Sequence, residues 1–193
     1  MSQVDFYVKH MTPFVMGTTG GDRHKLLETV QGAQLYAVIA PNMSKQIVAF
    51  QAMMEYMAKE FPGAYSGYKL QVVESHQATK KDTSGTAKAV VQSFNGLGIK
   101  FHASQIEMVR TPAEQTNRMK VPRQALDGHA FHTYSITSAD SSVYFEFQHN
   151  VVGRTTYAEG TVDACVFLAA QIEKQASKRL FDMIDVLREG QMR

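Results

Sequence analysis

The sequence predicts an α/β protein in which parallel strand–helix units are followed by a mixed or antiparallel sheet with flanking helices. Two observations predict the first part. The apolar run QLYAVIAP at 34–41 is typical of a strand buried on both faces, and apolar residues then repeat at helical spacing. A third observation predicts the second part, because Val143, Phe145 and Phe147 recur with the period of two that puts strand residues on one face.

The N-terminal part predicts strand–helix units in series. Residues 14–16 form an apolar strand that runs into the loop GTTGGDR, and 22–31 then predict a helix capped by Asp22. The helix after the second strand starts behind a cap at Asn42 or Ser44. Because two such units need a crossover connection, their strands are expected to be parallel.

In the rest of the chain, apolar residues also recur at strand or helix spacing. We predict strands at 68–73, 106–110, 128–136 and 142–151, a helix at 84–98 that Gly96 or Gly98 closes, and a helical tail from about 158 to 188. A compositional shift near residue 62 predicts a boundary between a first domain, 1–62, and a second domain, 63–193, whose tail helix is able to pack back on the first.

Composition excludes several classes of function. The chain has 193 residues, 44% of them hydrophobic, and its 20 basic residues nearly balance 18 acidic ones, so we expect a globular protein without a nucleic-acid partner. Cys165 is the single cysteine, which excludes an internal disulfide, and we expect no metal site. No run approaches the roughly 20 apolar residues of a membrane helix. The N-terminal segment has no secretory pattern, so we expect neither membrane insertion nor secretion.

Two loops lie where α/β proteins bind ligands. GTTGG at 17–21 and APNMS at 40–44 each follow a predicted parallel strand, and the carboxyl ends of such strands face the ligand crevice. Glycine there lets backbone N–H groups approach a planar ring or an anion closely. Ordinary tight turns before capped helices remain the alternative for both loops.

The stretch VVESHQATKKDTSGTAKAVV, residues 72–91, places several side chains that carry charge or exchange protons in one connection between a strand and a helix. His76 ends a strand, and Lys80 follows in a loop that can fold back towards the same cleft. An imidazole exchanges protons near neutral pH, and the helix start at 84–86 offers N–H groups and the positive end of a helix dipole to an anion. The alternative is a solvated loop with a helix cap at Asp82 or Ser84.

Other polar residues carry weaker signals. His129 and His132 lie three apart in a predicted strand, so they project to opposite faces, and we expect one to be packed and the other solvated. Arg154, shortly after His149, could clamp a carboxylate, although a surface salt bridge is the commoner role of a lone arginine.

The motif ESHQATKKDTSGTAKA resembles the signature of the 4-hydroxy-tetrahydrodipicolinate reductase (dihydrodipicolinate reductase) family, especially its plant-type branch. Further segments match the same family pattern in order along nearly the whole chain: PFVMGTTGGDR, YAVIAPNMSKQIVAF, DGHAFHTY, FEFQHNVVGRTTYAEGTVDA and MIDVLREGQMR. Several separated motifs in order are more specific than any one of them.

The resemblance implies roles for individual residues. His76 and Lys80 match the family's catalytic residues, and Lys81 is the alternative for the reactive amine. The implied substrate-binding residues are Gln77, Ser84, Gly85, Thr86 and Arg154, although bacterial members usually carry a second histidine in place of Gln77. The implied contacts to the nicotinamide end of the cofactor are Gly17, Thr18, Thr19, Ala40, Pro41, Asn42 and Met43.

The resemblance also implies an activity. Such a protein uses NADPH or NADH to reduce a cyclic, unsaturated dicarboxylate in lysine biosynthesis, as a homo-oligomer, dimer or tetramer, in the cytoplasm or plastid stroma. The family's opening strand and glycine-rich cofactor turn have no counterpart in this sequence, so residues 1–62 resemble the later half of a Rossmann-like domain. A shortened sequence, an active short form and a non-catalytic dicarboxylate-binding or assembly module all remain open.

Overall fold

The computed structural model describes residues 3–18 and 21–189. These described residues form two compact units, one of those up to 49 together with those from 155 onwards, and one of residues 50–154. The helices are α1 (Gln3–Lys9), α2 (Arg23–Gly32), α3 (Lys45–Glu60), α4 (Gly85–Gly96), α5 (Pro112–Asn117), α6 (Thr155–Glu173) and α7 (Met183–Arg188). The strands are β1 (Phe14–Met16), β2 (Ala37–Ile39), β3 (Lys69–His76), β4 (Glu107–Val109), β5 (His129–Thr137), β6 (Tyr144–Val152) and β7 (Leu180–Phe181). Among the described residues, no helix has the length and apolar character required to span a membrane.

The first unit contains the predicted parallel strands. Its sheet has the order β1-β2-β7, and both pairs are parallel. Helix α2 begins where expected, with Asp22 as its N-cap accepting a hydrogen bond from the Lys25 backbone N–H. The central strand β2 is completely buried, which explains its uninterrupted apolar sequence.

The tail is not one helix, as the sequence predicts, because α6 stops at Glu173 and β7 and α7 follow. Strand β7 pairs with β2, so the segment exchanges helical hydrogen bonds for sheet hydrogen bonds. Its Phe181 packs edge to face on Phe167 in the core of this unit. Asp182 then caps α7 through the N–H groups of Ile184 and Asp185. Tertiary pairing therefore overrides the local helical pattern.

The second unit is built on the predicted mixed sheet. Its strand order is β4-β3-β5-β6, with β3 parallel to β4 and antiparallel to β5. Helix α4 covers one face, where Phe94 and Tyr134 are fully buried. Phe147 packs on this cluster and Phe145 contacts Tyr65 beside it, so the predicted period of two holds for these two residues, whereas Val143 lies just before β6.

The compact units divide the chain after residues 49 and 154 rather than at residue 62. Helix α3 runs through the first of these divisions. Its Val48 packs in the core of the first unit, and its Met54 packs in the core of the second. One continuous amphipathic helix thus contributes residues to two cores, and composition alone does not show at which residue its contacts pass from one core to the other.

The sheet register of the second unit brings polar loop residues to one end. His76, the last residue of β3, pairs with Ala130 near the start of β5, and Ala130 pairs with Val151 near the end of β6. On the other side, Ser75 pairs with Val109, the last residue of β4. The segments that follow β3, β4 and β6 therefore all leave the sheet at this end.

Candidate functional site

A buried ion pair joins the central strand to its neighbour at this end of the sheet. Glu74 in β3 is fully buried, and its Oε1 lies 2.6 Å from Nη2 of Arg110, the residue after β4. Its other oxygen, Oε2, accepts a hydrogen bond of 3.0 Å from the Ser84 backbone N–H. One carboxylate therefore ties β3, β4 and the start of α4 together, and its charge is balanced inside the fold.

Arg110 also holds the loop that carries Lys80. Its Nε donates to the Lys80 carbonyl at 3.0 Å, and its Nη2 donates to the Asp82 carbonyl at 3.5 Å. The planar guanidinium presents several donors in one fork, so one side chain binds two carbonyls of this loop at once. Sequence reasoning missed Arg110, because its signal, a cation directly after an apolar strand, is common.

His76 is buried at the end of β3, with 8% of its surface exposed. Its Nε2 lies 3.3 Å from Nε2 of His132, and its backbone carbonyl accepts from Gln115 Nε2 at 2.7 Å. Burial, aided by the positive charges of Arg110 and Lys80, lowers the pKa of His76 to about 3. Its imidazole is therefore neutral near pH 7 and acts there through hydrogen bonds rather than as a cation.

Lys80 lies on the loop between β3 and α4 and is half-buried. Its Nζ donates to Asp82 Oδ1 at 2.8 Å, and this hydrogen bond lowers the pKa of the Asp82 carboxyl. The charge of Lys80 is close enough to contribute to the lowered pKa of His76. The structure therefore brings both predicted catalytic side chains to the same end of the sheet.

Ser84 is the N-cap of α4, and its Oγ accepts from the Ala87 backbone N–H at 3.4 Å. Of the two caps left open by the sequence, Ser84 rather than Asp82 is the one that forms. Gly85 begins the helix and is exposed, and a Cβ built on it would meet nothing within 4 Å. Thr86 is half-buried beside it. The helix start thus has open space in front of Gly85.

The histidines of β5 lie on opposite faces of the sheet, as predicted, but the expectation that one is solvated is wrong. His129 and His132 are 4% and 2% exposed. His129 Nε2 lies 2.7 Å from Ser75 Oγ, while His132 contacts His76. Both faces of β5 are covered, one by the cluster around Tyr134 and the other by a smaller cluster that includes Phe131.

A carboxylate and two imidazoles in this site are ligand types that metals use. Glu74, His76 and His132 place ligand atoms within 4.8 Å of one another. Both oxygens of Glu74 are nevertheless engaged, one by Arg110 and the other by the Ser84 N–H. The charge partner of this carboxylate is thus an organic cation, which a metal would have to displace.

Backbone hydrogen bonds in or next to their own segments fix the positions of Arg154 and Gln77. Arg154 is exposed and follows Gly153, a residue with φ of +74° whose N–H donates to the Gly128 carbonyl at 2.9 Å. This contact anchors the chain at the same sheet end as His76. Gln77 is half-buried, and its carbonyl accepts from the Lys80 N–H at 3.0 Å in the turn after β3.

The loops predicted to contact the cofactor leave the first unit's sheet side by side. Gly17 and Thr18 follow β1 and are exposed, and the Ala40 N–H after β2 donates to the Met16 carbonyl at 3.0 Å. A Cβ on Gly17 would lie 3.1 Å from Met43 Cγ. Glycine at this position therefore leaves the room that separates the two loops. Thr19 lies outside the described residues.

The second of these loops is well ordered by its own contacts. Asn42 is buried and its Oδ1 accepts from the Ser44 N–H at 2.8 Å, while Pro41 is exposed. Met43 is buried, and a Cβ on Gly160 of α6 would lie 1.7 Å from the Met43 carbonyl oxygen. Helix α6 thus supports this loop through an approach that only glycine permits.

Comparisons with known proteins agree with this architecture. The family model described as "Dihydrodipicolinate reductase, C-terminus" matches residues 46–187. The chain is 59% identical over 189 residues to 4-hydroxy-tetrahydrodipicolinate reductase 1, chloroplastic, of Arabidopsis thaliana, covering 98% of this chain and 54% of the relative. It is 59% identical over 192 residues to a probable reductase 1, chloroplastic, of Oryza sativa subsp. japonica, covering 100% of this chain and 56% of the relative.

A solved structure shares the fold. Dipicolinate-bound dihydrodipicolinate reductase from Paenisporosarcina sp. TG-14 superposes with a TM-score of 0.56 at 18% identity, covering 94% of this chain and 69% of that one. The chain spans about half the length of the curated plant relatives that it matches. Because the family model matches residues 46–187, the chain belongs to the dihydrodipicolinate reductase family, whose C-terminal part it contains.

Proposed function

We propose that this chain carries the substrate-binding and proton-transfer half of an NAD(P)H-dependent reduction of 4-hydroxy-tetrahydrodipicolinate to tetrahydrodipicolinate, in lysine biosynthesis. The observation that carries the proposal is the Glu74 carboxylate, which links Arg110 and the Ser84 N–H. Through this link, His76, the Lys80 loop and the helix start at 84–86 are held at one end of the sheet. The names of the plant relatives support the choice of substrate.

The substrate is a dicarboxylate, and this end of the sheet offers positive groups for it. The start of α4 has open space in front of Gly85, and Ser84 and Thr86 lie on either side. A helix start attracts an anion through its N–H groups and dipole. Arg154, exposed at the same end of the sheet, is assigned to the second carboxylate, and Gln77 to an edge of the ring.

In the conversion of the 4-hydroxy substrate to tetrahydrodipicolinate, the hydroxyl group leaves as water, the hydride adds to the unsaturated ring, and a proton must neutralise the negative charge that the hydride brings. Because the pKa of His76 is lowered to about 3, its neutral ring is not a cationic acid at neutral pH. Lys80 carries an ammonium group on the same loop, held by Asp82 at 2.8 Å. We therefore assign proton delivery to Lys80, and substrate orientation to His76.

The loops of the first unit fit the nicotinamide end of NADPH or NADH. Gly17, with space that a side chain would fill, lies against Met43, and Thr18, Ala40, Pro41 and Asn42 complete the two loops. When bound, the reduced dinucleotide supplies the hydride. The residues of this chain bind the nicotinamide ring and orient it for transfer.

The test is an assay of the purified protein with NADPH or NADH and enzymatically generated substrate, following the loss of reduced-nicotinamide absorbance. We expect turnover, and a decrease of about 10²- to 10⁴-fold in kcat for Lys80→Met, the range typical of a lost general acid. Lys81→Met is the matched control, since Lys81 is the exposed neighbouring lysine. Loss of activity in Lys81→Met but not in Lys80→Met would move the proton donor to Lys81.

Absence of turnover in a folded sample at high cofactor concentration would overturn the catalytic proposal. The remaining candidate would then be a dicarboxylate-binding or assembly module. Dipicolinate, the ligand named for the Paenisporosarcina protein, is the probe for that case. A rise in melting temperature with dipicolinate, lost in Arg154→Ala, would support dicarboxylate binding without reduction.

We also propose a plastid location and self-association. The plant relatives are named chloroplastic. Strand β6 ends the second sheet, and its Tyr144 and Val152 are 58% and 55% exposed. An exposed edge strand with apolar side chains is a template for pairing with a second copy. Sedimentation of the purified protein as a monomer at micromolar concentration would refute self-association.

A further inference from the structure

His76 is part of a buried set of imidazoles. Its Nε2 lies 3.3 Å from Nε2 of His132, and His132 stacks on His149 with ring centroids 4.6 Å apart. Burial lowers the pKa of all of these rings, of His132 well below its ordinary value and of His149 to about 4. Because two neutral rings share the 3.3 Å contact, one of them must donate its N–H and the other must accept.

The surroundings of His132 identify the donor. Its Nδ1 is buried and, within the part of the chain that the structure describes, has no hydrogen-bond partner. A proton on that nitrogen would be an orphaned buried N–H, which proteins rarely tolerate, whereas an unprotonated nitrogen costs less. Glu74 Oε2 lies 3.9 Å from Nε2 on the other side of the ring. A carboxylate there favours the proton on Nε2, so both observations make His132 an Nε2–H donor.

The same contact then fixes the tautomer of His76. A neutral ring whose Nε2 accepts from the His132 Nε2–H at 3.3 Å carries its single proton on Nδ1, away from that contact.

We propose that His132 is a positioning residue that holds His76 in the Nδ1–H tautomer, with Nε2 as a hydrogen-bond acceptor. The consequence for the reaction rests on the proposed function. In this tautomer His76 has no proton on Nε2 to transfer, and proton delivery falls to Lys80. His132 fixes the tautomer and ring orientation of His76 without needing to touch the substrate.

The direct test is the tautomer itself, which is measurable without turnover. Long-range ¹H–¹⁵N correlation spectra of protein labelled with ¹⁵N-histidine, at pH 7.5, distinguish protonated from unprotonated ring nitrogens. We expect the unprotonated-nitrogen shift on Nε2 of His76 and the protonated shift on its Nδ1. The opposite pattern in the wild-type protein would overturn the proposal, whatever the outcome of the reductase assay.

Variants separate this role from general packing. His132→Gln keeps an N–H donor and is expected to retain the Nδ1–H tautomer of His76. His132→Leu removes the donor, so His76 is expected to lose its preference for that tautomer. His149→Phe is the matched control, because it removes an imidazole that stacks on His132 and contacts the Tyr134 hydroxyl rather than the His76 ring, and it should leave the tautomer unchanged. An unchanged tautomer in folded His132→Leu would refute the role of His132.

Activity gives an independent readout. If the protein reduces the substrate, we expect His132→Leu to lower kcat by about 10-fold or more with little change in KM, and His132→Gln to recover part of the loss. Equal losses in His132→Gln and His132→Leu would contradict a role for the N–H donor. An inactive wild-type protein with the expected His76 tautomer would refute the proposed reaction and leave the positioning role of His132 standing.

Discussion

The buried imidazoles predict how the stability of this protein depends on pH. His76, His132 and His149 are all kept neutral in the folded state, and burial is the main cause of each lowered pKa. In the unfolded chain these groups titrate near 6.5, so below that pH the unfolded chain binds more protons than the folded one. The stabilisation is therefore complete above pH 6.5 and is lost as the pH falls towards the folded pKa values of about 3 and 4.

The magnitude follows from the shifts. At pH 5, which is about 1.5 units below the unfolded pKa, His76 and His149 each cost about 2 kcal/mol, at about 1.36 kcal/mol per unit. Together these two remove about 4 kcal/mol between pH 8 and pH 5, a large part of the roughly 5–15 kcal/mol that stabilises an ordinary domain, and the lowered pKa of His132 acts in the same direction. Carboxyls with lowered pKa, such as Glu107 beside Arg118, titrate below this range and contribute little to it.

The assay is urea unfolding followed by circular dichroism at pH 8, 7, 6 and 5 with constant ionic strength. The free energy of unfolding should fall steadily across this series with little change in the m-value. In His149→Phe the loss between pH 8 and pH 5 should be smaller by about 2 kcal/mol, even if the variant is less stable throughout. A wild-type stability that does not change with pH, or an identical loss in His149→Phe, would refute the assignment of buried neutral rings.

Two further predictions concern packing and charge. Gly160→Ala should lower the free energy of unfolding by about 3 kcal/mol, because its Cβ would lie 1.7 Å from the Met43 carbonyl oxygen. The matched control is Gly32→Ala at the end of α2, where a Cβ would meet nothing within 4 Å. Equal melting temperatures for the two variants would contradict the steric argument. Glu74→Gln should cost about 3–5 kcal/mol by leaving Arg110 without its carboxylate. The double variant Glu74→Gln with Arg110→Gln should be less destabilised than the sum of the single variants, and additive effects in urea unfolding would show that the pair is not coupled.

Much of the fold and the site follows from local sequence. The apolar run at 34–41 can be satisfied only by burial on both faces, and β2 lies at the centre of a parallel sheet. The caps at Asp22 and Ser84 are local hydrogen bonds between residues three apart; Asp22 forms its cap as predicted, and Ser84 is one of the two caps that the sequence leaves open. The motif at 72–91 predicts His76 and Lys80 because both lie in one short connection between β3 and α4.

The sequence misses features that depend on residues distant in the chain. The helical tail breaks into β7 because β2 offers a free strand edge about 140 residues earlier. Arg110 enters the site only because β4 pairs with β3, 30 residues from the Lys80 carbonyl that it binds. His132 is an ordinary strand residue by sequence, and it becomes a neighbour of His76 only through the antiparallel pairing of β3 with β5.

The sequence by itself determined which groups can do chemistry: an imidazole, an ammonium group and a helix start within one loop of β3, because these are set by spacing along the chain. The tertiary structure alone decided their electrostatic state. Burial next to β5, together with the charges of Arg110 and Lys80, makes His76 neutral, because the pKa of a side chain depends on how much water and charge surround it. That environment is assembled from strands distant in sequence, so no local pattern encodes it.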